Sequence, residues 1–420
     1  MKDIILKNTI VNGNRVEFQC EYPDWMLEFM TDAESNLFAE YDFDLTEIPK
    51  SILNIVFVCN FFTYAMIKGV NLILEELDKT FYDYFPNTLD AYKKLYQGKL
   101  DFPFYCELKV KNLIDNTSHY TESNKNIIAF SGGVDATSAV ATYINDTNVL
   151  VNVWGADIRL NNKKRYLAQR QHHEAVAKGI GCEFLSIKSN FRELEESDKP
   201  FYQYRNWWLE IAYIPNITGL IIPCAYKNNA QKVILGSSYP QKEFERNEIY
   251  DSGFLPIVNS FRFANSFVEQ GDPDMERGEK IANIINKADR LSGVKLFVCW
   301  QYNEELYNCC NCEKCYRTIM NITANMYDPN LLGFEITKQK YLQIRDFLKR
   351  NKVSLPIWAQ IQNDFLKNKR FWKKHNEIKW ILTIKFNKIK KPSQFLLKIK
   401  RPFVLLTRFI KHKLRKLRKR

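Results

Sequence analysis

Hydrophobic and polar positions follow two kinds of period along this chain, and the order of those periods changes near residue 125. Before that point, short alternating runs flank the Asn12-Gly13 pair, which predicts a β-hairpin. Helical periods follow at residues 52–66, 69–85 and 89–99. A strand-like run at 104–114 ends at a polar linker, so we predict an N-terminal α+β domain over residues 1–124.

After residue 125, apolar runs of strand length alternate with helix-length patterns. The predicted strands are 127–130, 149–155, 182–190 and 232–238, and the first two predicted helices are 134–144 and 164–181. Strands that alternate with helices favour a parallel sheet covered by helices on both faces. We therefore predict an α/β fold with a doubly wound parallel sheet, in a domain over residues 125–345.

The most apolar long segment is Ile52–Ile67. It contains two asparagines and is shorter than the roughly 20 residues that a membrane span needs, so we predict a buried helix. The first residues include Asp3 and only a three-residue apolar stretch before Lys7, which does not fit a secretory signal. We expect a cytoplasmic protein.

Charge is distributed unevenly along the chain. The net charge is +13, yet residues 367–420 contain 21 Lys and Arg against one acid, Glu377, so the remainder is mildly acidic. We predict a helical, strongly basic tail over residues 346–420. Beyond Pro402, apolar residues recur every three or four positions, at Phe403, Leu406, Ile410, Leu414 and Leu417.

A basic amphipathic helix of this kind is typical of proteins that lie on an anionic membrane surface. We therefore expect peripheral attachment to the inner face of the plasma membrane. Binding to tRNA through a lysine-rich arm is the less favoured alternative. Docking of the tail on the acidic body of the chain is a third.

The run "IIAFSGGVDATSAVATYI", residues 127–144, breaks at two glycines between a predicted strand and a predicted helix. Gly132 and Gly133 let the backbone approach a ligand closely, and the helix N-terminus favours an anion. Ser131 adds a hydroxyl, and Asp135 is placed to hold Mg²⁺. We predict a phosphate site; a plain strand-turn-helix connection is the alternative.

"SGGVDAT" resembles the SGGxDS signature of the N-type ATP pyrophosphatases, the PP-loop superfamily. The resemblance implies a five-stranded doubly wound PP-loop sheet that binds ATP with Mg²⁺ and releases pyrophosphate. It implies ATP contacts from Ser131, Gly132, Gly133, Val134, Asp135, Ala136 and Thr137, with Ser131 and Asp135 also catalytic. Because Ala136 stands where the family usually has serine, a catalytically silent ATP- or RNA-binding module is an alternative.

Cysteines crowd into the segment 299–315. The spacing of Cys299, Cys309, Cys312 and Cys315 suits a closed site of four thiolates, which predicts structural Zn²⁺. Cys310 could replace Cys309 as a ligand only if the register of the loop changed. Incidental cysteines in a reduced loop are the alternative.

This spacing resembles the zinc site of the 7-cyano-7-deazaguanine synthases. "NCCNCEKCYRTI" is more similar to a branch that includes an ATP-dependent epimerase of a muramyl-peptide glutamate. The resemblance implies an adenylating enzyme that activates a carboxylate acceptor, such as a cell-envelope or peptide precursor, by ligase- or epimerase-like chemistry. Deazaguanine synthesis or tRNA modification is the alternative.

Several further residues are candidates for the same site. "LGSSYP" resembles a stretch of the deazaguanine enzymes and contributes Gly236 and Ser237 as ATP contacts. Asp157 follows the second predicted strand and is either a nucleotide contact or a solvated loop acid. Lys314 and Arg317, beside the predicted zinc site, are catalytic candidates because the metal would fix their backbone.

Four polar side chains are expected in less specific roles. Arg277 and Lys280 lie three positions apart on a predicted helix, where they would neutralise a phosphate or, as we favour, remain solvated. His172 and His173 have no metal-ligand spacing to the cysteines, so we expect them on the surface.

Overall fold

The computed structural model describes residues 3–27, 30, 36–100, 102–119, 123–145, 147–194, 207–246, 249–291, 293–299, 301, 308–351 and 353–386. The described chain up to residue 336 forms one compact unit, and the described residues from 337 onward form a second. The predicted boundary at residues 124–125 lies inside the first unit.

In the described part of the first unit, eleven strands form a single, mostly parallel sheet. They are β1 Ile4–Asn12, β2 Arg15–Glu21, β3 Leu37–Tyr41, β4 Leu72–Asp78, β5 Leu108–Ile114, β6 Asn126–Ala129, β7 Val149–Trp154, β8 Glu183–Ser189, β9 Lys232–Gly236, β10 Arg262–Phe263 and β11 Ser266–Gly271. Their order across the sheet is β10-β11-β9-β6-β7-β8-β3-β2-β1-β4-β5.

Five neighbouring strands at the centre of the first unit run parallel. β7 and β8 lie on one side of β6, and β9 and β11 lie on the other. The predicted α/β class with a parallel sheet is therefore confirmed. The order in which strands are added changes sides at β6: β7 and β8 follow towards one edge of the sheet, and β9 and β11 then add on the other side. Ligands of open α/β sheets bind at the carboxyl ends of the strands beside such a switch point.

The N-terminal strands extend this sheet. β3 pairs antiparallel with β8, with Tyr41 opposite Ile187. The hairpin predicted at Asn12-Gly13 is confirmed, because β1 and β2 pair antiparallel and Gly13 adopts a φ of +57° between them. The N-terminal strands thus belong to the same sheet as the parallel strands, and the β3–β8 pair joins the two groups.

The helix predicted over residues 69–85 is wrong in its first half. Residues Leu72–Asp78 form strand β4, which pairs with both β1 and β5. Burial alternates only at the start of this strand, where half-buried Ile73 lies between buried Leu72 and Leu74, and pairing on both sides satisfies the backbone groups of the strand. Asp78 then caps the next helix, accepting a hydrogen bond from the Phe81 amide at 2.9 Å.

The described residues of the two units also form thirteen α-helices. They are α1 Asp24–Leu27, α2 Lys50–Lys68, α3 Lys79–Tyr96, α4 Val134–Thr142, α5 Lys163–Ile180, α6 Tyr213–Lys227, α7 Gln241–Glu245, α8 Leu255–Val258, α9 Arg277–Asn286, α10 Glu313–Ala324, α11 Lys338–Arg350, α12 Leu355–Lys367 and α13 Lys369–Trp372.

Among the described residues, two helical segments are long and apolar enough to cross a membrane by length and composition, Lys50–Lys68 and Trp208–Lys227, and both are mostly buried inside the protein. The buried helix predicted over Ile52–Ile67 is thereby confirmed. α2 and α6 pack closely, since a Cβ on Gly219 would lie 2.5 Å from the Cβ of Cys59.

The second unit packs α11, α12 and α13 around apolar side chains. Trp358 and Phe365 of α12 are fully buried, and Trp372 of α13 is 5% exposed. The amphipathic helix predicted after Pro402 lies outside the described residues.

Candidate functional site

The loop that follows β6 is held in place by hydrogen bonds to its carbonyl groups. The Phe297 amide donates to the carbonyl oxygen of Gly132 at 2.7 Å, and the Gln169 side chain donates to that of Ser131 at 2.9 Å. Helix α4 starts at Val134, and its first intrahelical bond runs from the Thr137 amide to Gly133. The preceding helix amides therefore lack intrahelical acceptors and can bind an anion.

Gly132 is required at its position by both conformation and packing. Its φ is +74°, in the left-handed region that favours glycine. A Cβ there would lie 2.6 Å from Nε2 of His173 and 3.1 Å from the Phe297 ring. The loop backbone therefore rests directly on these two side chains.

The expected surface position of His173 is wrong. Its side chain is fully buried, and its ring lies 4.5 Å from the Phe130 ring centroid and 5.8 Å from that of Phe297. Burial, with a smaller effect of His172, lowers the pKa of His173 to about 3. Neither ring nitrogen has a hydrogen-bond partner within the described residues. The neutral imidazole of His173 thus packs directly against the loop backbone at Gly132.

Asp135, in the first turn of α4, pairs with two cations from α9. Its carboxylate lies 3.0 Å from a terminal guanidinium nitrogen of Arg277 and 3.3 Å from Nζ of Lys280. The Lys280 side chain is only 1% exposed and also donates to the Ser237 hydroxyl at 2.8 Å. The expectation that Arg277 and Lys280 are solvated is therefore wrong, because burial of Lys280 requires these acceptors.

The end of β9 supports the same loop from the side. A Cβ on Gly236 would lie 2.6 Å from the Asp135 carbonyl group and 2.9 Å from the Ala136 amide. Ser237 is fully buried, and its hydroxyl donates to the carbonyl of Asp272 at 2.6 Å. Gly236 therefore packs against the loop backbone. The Ser237 hydroxyl is hydrogen-bonded to Lys280 and to the carbonyl of Asp272.

The hydroxyls that follow Ala136 do not replace a serine at the loop surface. Thr137 and Ser138 are fully buried, and the Ser138 hydroxyl donates to Asp272 at 2.5 Å. Ser131 is exposed and accepts a long 3.4 Å hydrogen bond from the Gly133 amide. Ser131 is thus the one hydroxyl of the 131–138 segment that faces solvent.

The electrostatic environment of the loop favours an anion. Burial raises the pKa of Asp135, but the charges of Arg277, Lys280 and Lys314 outweigh it and leave the pKa below its ordinary value. Burial lowers the pKa of Lys314, and the Arg277 and Arg317 charges lower it further against the opposing effect of Asp157. Cations crowded strongly enough to depress one another's pKa create a positive potential.

The predicted cysteine ligands lie together. The four sulfur atoms of Cys299, Cys309, Cys312 and Cys315 are within 4.8 Å of one another, with Sγ–Sγ distances of 4.0 Å for Cys299–Cys312 and 3.9 Å for Cys309–Cys315. Zn–S bonds of about 2.3 Å place tetrahedral sulfurs roughly 3.8 Å apart. This donor set fits a structural zinc ion.

Cys310 lies outside this cluster. It has a φ of +51°, and its sulfur lies 3.7 Å from the Asn308 carbonyl oxygen. This left-handed residue lies between Cys309 and Cys312, whose sulfur atoms both belong to the cluster. The predicted loop register, with Cys309 in the site, is the one observed.

The cysteine cluster and the glycine loop share elements. Cys312 caps α10, whose first turns contain Lys314 and Arg317, and Phe297, two residues before Cys299, donates to Gly132. A metal ion bound by the cysteines would thus fix both the start of α10 and the segment around Phe297 that contacts the loop.

Sequence reasoning missed a buried acid near this site. Asp251 is 6% exposed, and burial, with the charges of Glu210 and Asp135, raises its pKa to about 7. Burial, together with Asp157, Asp251 and Asp135, raises the pKa of the Tyr213 phenol. Nothing in the local sequence "YDSGF" distinguishes Asp251 from an ordinary turn residue.

Arg192 lies half-buried beyond these acids. Its guanidinium lies 4.3 Å from the centroid of the Trp208 ring and donates to the Ala156 carbonyl at 2.8 Å. Trp207 and Trp208 are buried. Asp157, in the loop after β7, is exposed.

Comparison with protein-family models, curated proteins and solved structures finds no match to this chain.

Proposed function

We propose that this chain binds ATP at the 131–136 loop and cleaves it to AMP and pyrophosphate, as the resemblance to the PP-loop superfamily implies. The observation that carries this proposal is the loop at the carboxyl end of β6, against which α9 places the cations Arg277 and Lys280, paired with Asp135. The neighbouring order β11-β9-β6-β7-β8 suits the five-stranded PP-loop sheet.

The proposed chemistry is the attack of an acceptor carboxylate on the α-phosphorus of ATP. The acceptor oxygen forms the new P–O bond, the bond to the bridging α–β oxygen breaks, and pyrophosphate leaves with its electron pair. The free amides at the start of α4 and the cations of α9 would stabilise the charge that develops on pyrophosphate. Mg²⁺, when bound, would neutralise phosphate charge, with Asp135 as its protein ligand.

The acceptor would bind beside Lys314 and Arg317 at the start of α10. Burial and the nearby charge of Arg277 lower the pKa of both residues, and cations crowded in this way suit an acceptor carboxylate as well as the α-phosphate. Capture of the resulting acyl-adenylate by a nucleophile, or loss of its α-proton, would give a ligase or an epimerase. By resemblance, the acceptor is a cell-envelope or peptide precursor.

The assay is AMP formation from α-labelled ATP by the purified chain with Mg²⁺ and a pool of cell metabolites. The proposal predicts that AMP and pyrophosphate appear in equal amounts and depend on the pool. Release of ADP and phosphate instead would contradict cleavage at the α-phosphate.

A catalytically silent ATP-binding module is the second candidate, favoured by Ala136 and by the burial of the Thr137 and Ser138 hydroxyls. It predicts saturable ATP binding with no AMP from any metabolite pool. The spacing of the cysteines favours a third candidate, deazaguanine synthesis. It predicts that 7-carboxy-7-deazaguanine with ammonia stimulates ATP cleavage.

A further inference from the structure

The second unit presents an exposed aromatic side chain beside a buried one. Trp372 is 5% exposed and packs edge-on against Phe365, with ring centroids 5.0 Å apart. The neighbouring Phe371 is 43% exposed, although its ring contacts Trp372 at 4.7 Å and His375 at 4.6 Å. Phe371 is therefore packed against two rings while much of its side chain remains exposed to solvent.

Exposed cations flank Phe371 on both sides along the chain. They are Lys369, Arg370, Lys373 and Lys374. In the part of the second unit that the structure describes, none of these four forms an ion pair, whereas Lys367 pairs with Asp364 at 2.7 Å. Their positive charge is thus left uncompensated by described acids.

An exposed aliphatic side chain precedes these residues. Leu366, in the last turn of α12, is 36% exposed. We call Leu366, Lys369, Arg370, Phe371, Lys373 and Lys374, which are exposed residues of one short segment, the cationic edge. It combines apolar groups, whose transfer out of water is favourable, with charged groups that can remain in water.

We propose that the cationic edge binds the surface of an anionic lipid bilayer. Lysine and arginine attract anionic headgroups, and an aromatic ring prefers the boundary between headgroups and acyl chains. A nucleic acid would also attract the cations and stack on Phe371, but it would gain little from Leu366. The sequence continues the same charge, with 14 Lys and Arg and no acid in residues 387–420.

The proposal is tested with the full-length chain and sedimentation of vesicles. We expect binding to phosphatidylcholine vesicles that contain phosphatidylglycerol and little binding to phosphatidylcholine alone. The double variant Lys373→Glu/Lys374→Glu should weaken this binding by about tenfold or more, since each cation near the surface contributes. Phe371→Ser should weaken it severalfold and leave its salt dependence unchanged, because it removes apolar contact only.

The matched control is Lys338→Glu/Arg350→Glu, which makes the same charge change at exposed positions of α11 in the same unit. It should weaken binding no more than about twofold, while all variants keep the wild-type melting temperature. Equal losses in the two double variants would overturn the cationic edge as the site. Equal binding to both vesicle types, or displacement of the vesicles by a single-stranded RNA oligomer at lower concentration, would overturn the lipid partner.

Discussion

The glycine loop and the cysteine loop both contain a residue with left-handed backbone angles, but they use it differently. Gly132 has a φ of +74° and no room for a Cβ, because His173 and Phe297 lie beneath it. Cys310 has a φ of +51° although it carries a side chain. The first loop acts through its backbone amides and the second through its sulfur atoms, so substitutions should affect them by different mechanisms.

The largest effect is expected in the cysteine loop. Cys312→Ser should abolish binding of about one zinc ion per chain, measured by elemental analysis, because a closed four-thiolate site loses a ligand. ATP binding should fall as well, since Cys312 caps α10.

Cys310→Ser is the matched control for this change, because Cys310 is outside the cluster. It should retain the full zinc content. A Cys310→Ser variant that loses its metal would show that the loop register differs from the one described.

In the glycine loop, Gly132→Ala should lower ATP affinity by about a hundredfold, measured by isothermal titration calorimetry. The new Cβ would meet His173 at 2.6 Å, and the backbone angle is strained for alanine. His173→Ala in the same chain should restore part of the affinity by removing the contact.

Gly293→Ala is the control for backbone strain without a new contact. Gly293 has a φ of +70° but no atom within 4 Å of a Cβ, so this variant carries the backbone strain alone. We expect a small loss of stability and unchanged ATP affinity. If the double variant Gly132→Ala/His173→Ala binds no better than Gly132→Ala, the packing explanation fails.

A smaller effect is expected from the cations of α9. Lys280→Met should weaken ATP binding by about ten- to thirtyfold, because a buried charge that faces Asp135 and the loop is removed. Lys287→Met, at the end of the same helix, should leave binding unchanged. Equal affinities of the two variants would remove Lys280 from the proposed site.

The effect expected for Asp251 appears only as a pH dependence of stability and not in ATP affinity. Its pKa is about 7 in the folded chain and near 4 when unfolded, so the folded state binds more protons between these values. Its contribution to stability therefore falls as pH rises from about 4 to 7.

Asp251→Asn should remove this slope, at most about 1.4 kcal/mol per pH unit, in urea unfolding at a series of pH values. Asp274→Asn, which changes an acid elsewhere in the first unit, should keep the wild-type slope. An unchanged slope in Asp251→Asn would contradict the raised pKa.

Much of the fold was predictable because it depends on local patterns. The hairpin at Asn12-Gly13, the buried helix within Lys50–Lys68 and the strand-helix alternation after residue 125 were predicted from periodicity. The pattern predicts a helix at strand β4 because apolar and polar residues do not alternate in "LILEELD", and its pairing with β1 and β5 is what makes this segment a strand.

Within the candidate site, the sequence by itself determined which residues are chemically unusual: two glycines after a buried strand and four cysteines at metal-ligand spacing. These signals are local, since a turn and a short loop place such residues without help from distant elements. Ser131, Asp135 and the cysteines were identified for that reason.

Only the tertiary structure decided which distant side chains meet them. Lys280 and Arg277 lie more than a hundred positions from Asp135, and His173 comes from another helix, so no local pattern assigns them to the loop. Burial then shifts pKa values in this region, because removing water lowers the pKa of His173 and Lys280 and raises that of Asp251. Desolvation depends on packing, which exists only once the chain is folded.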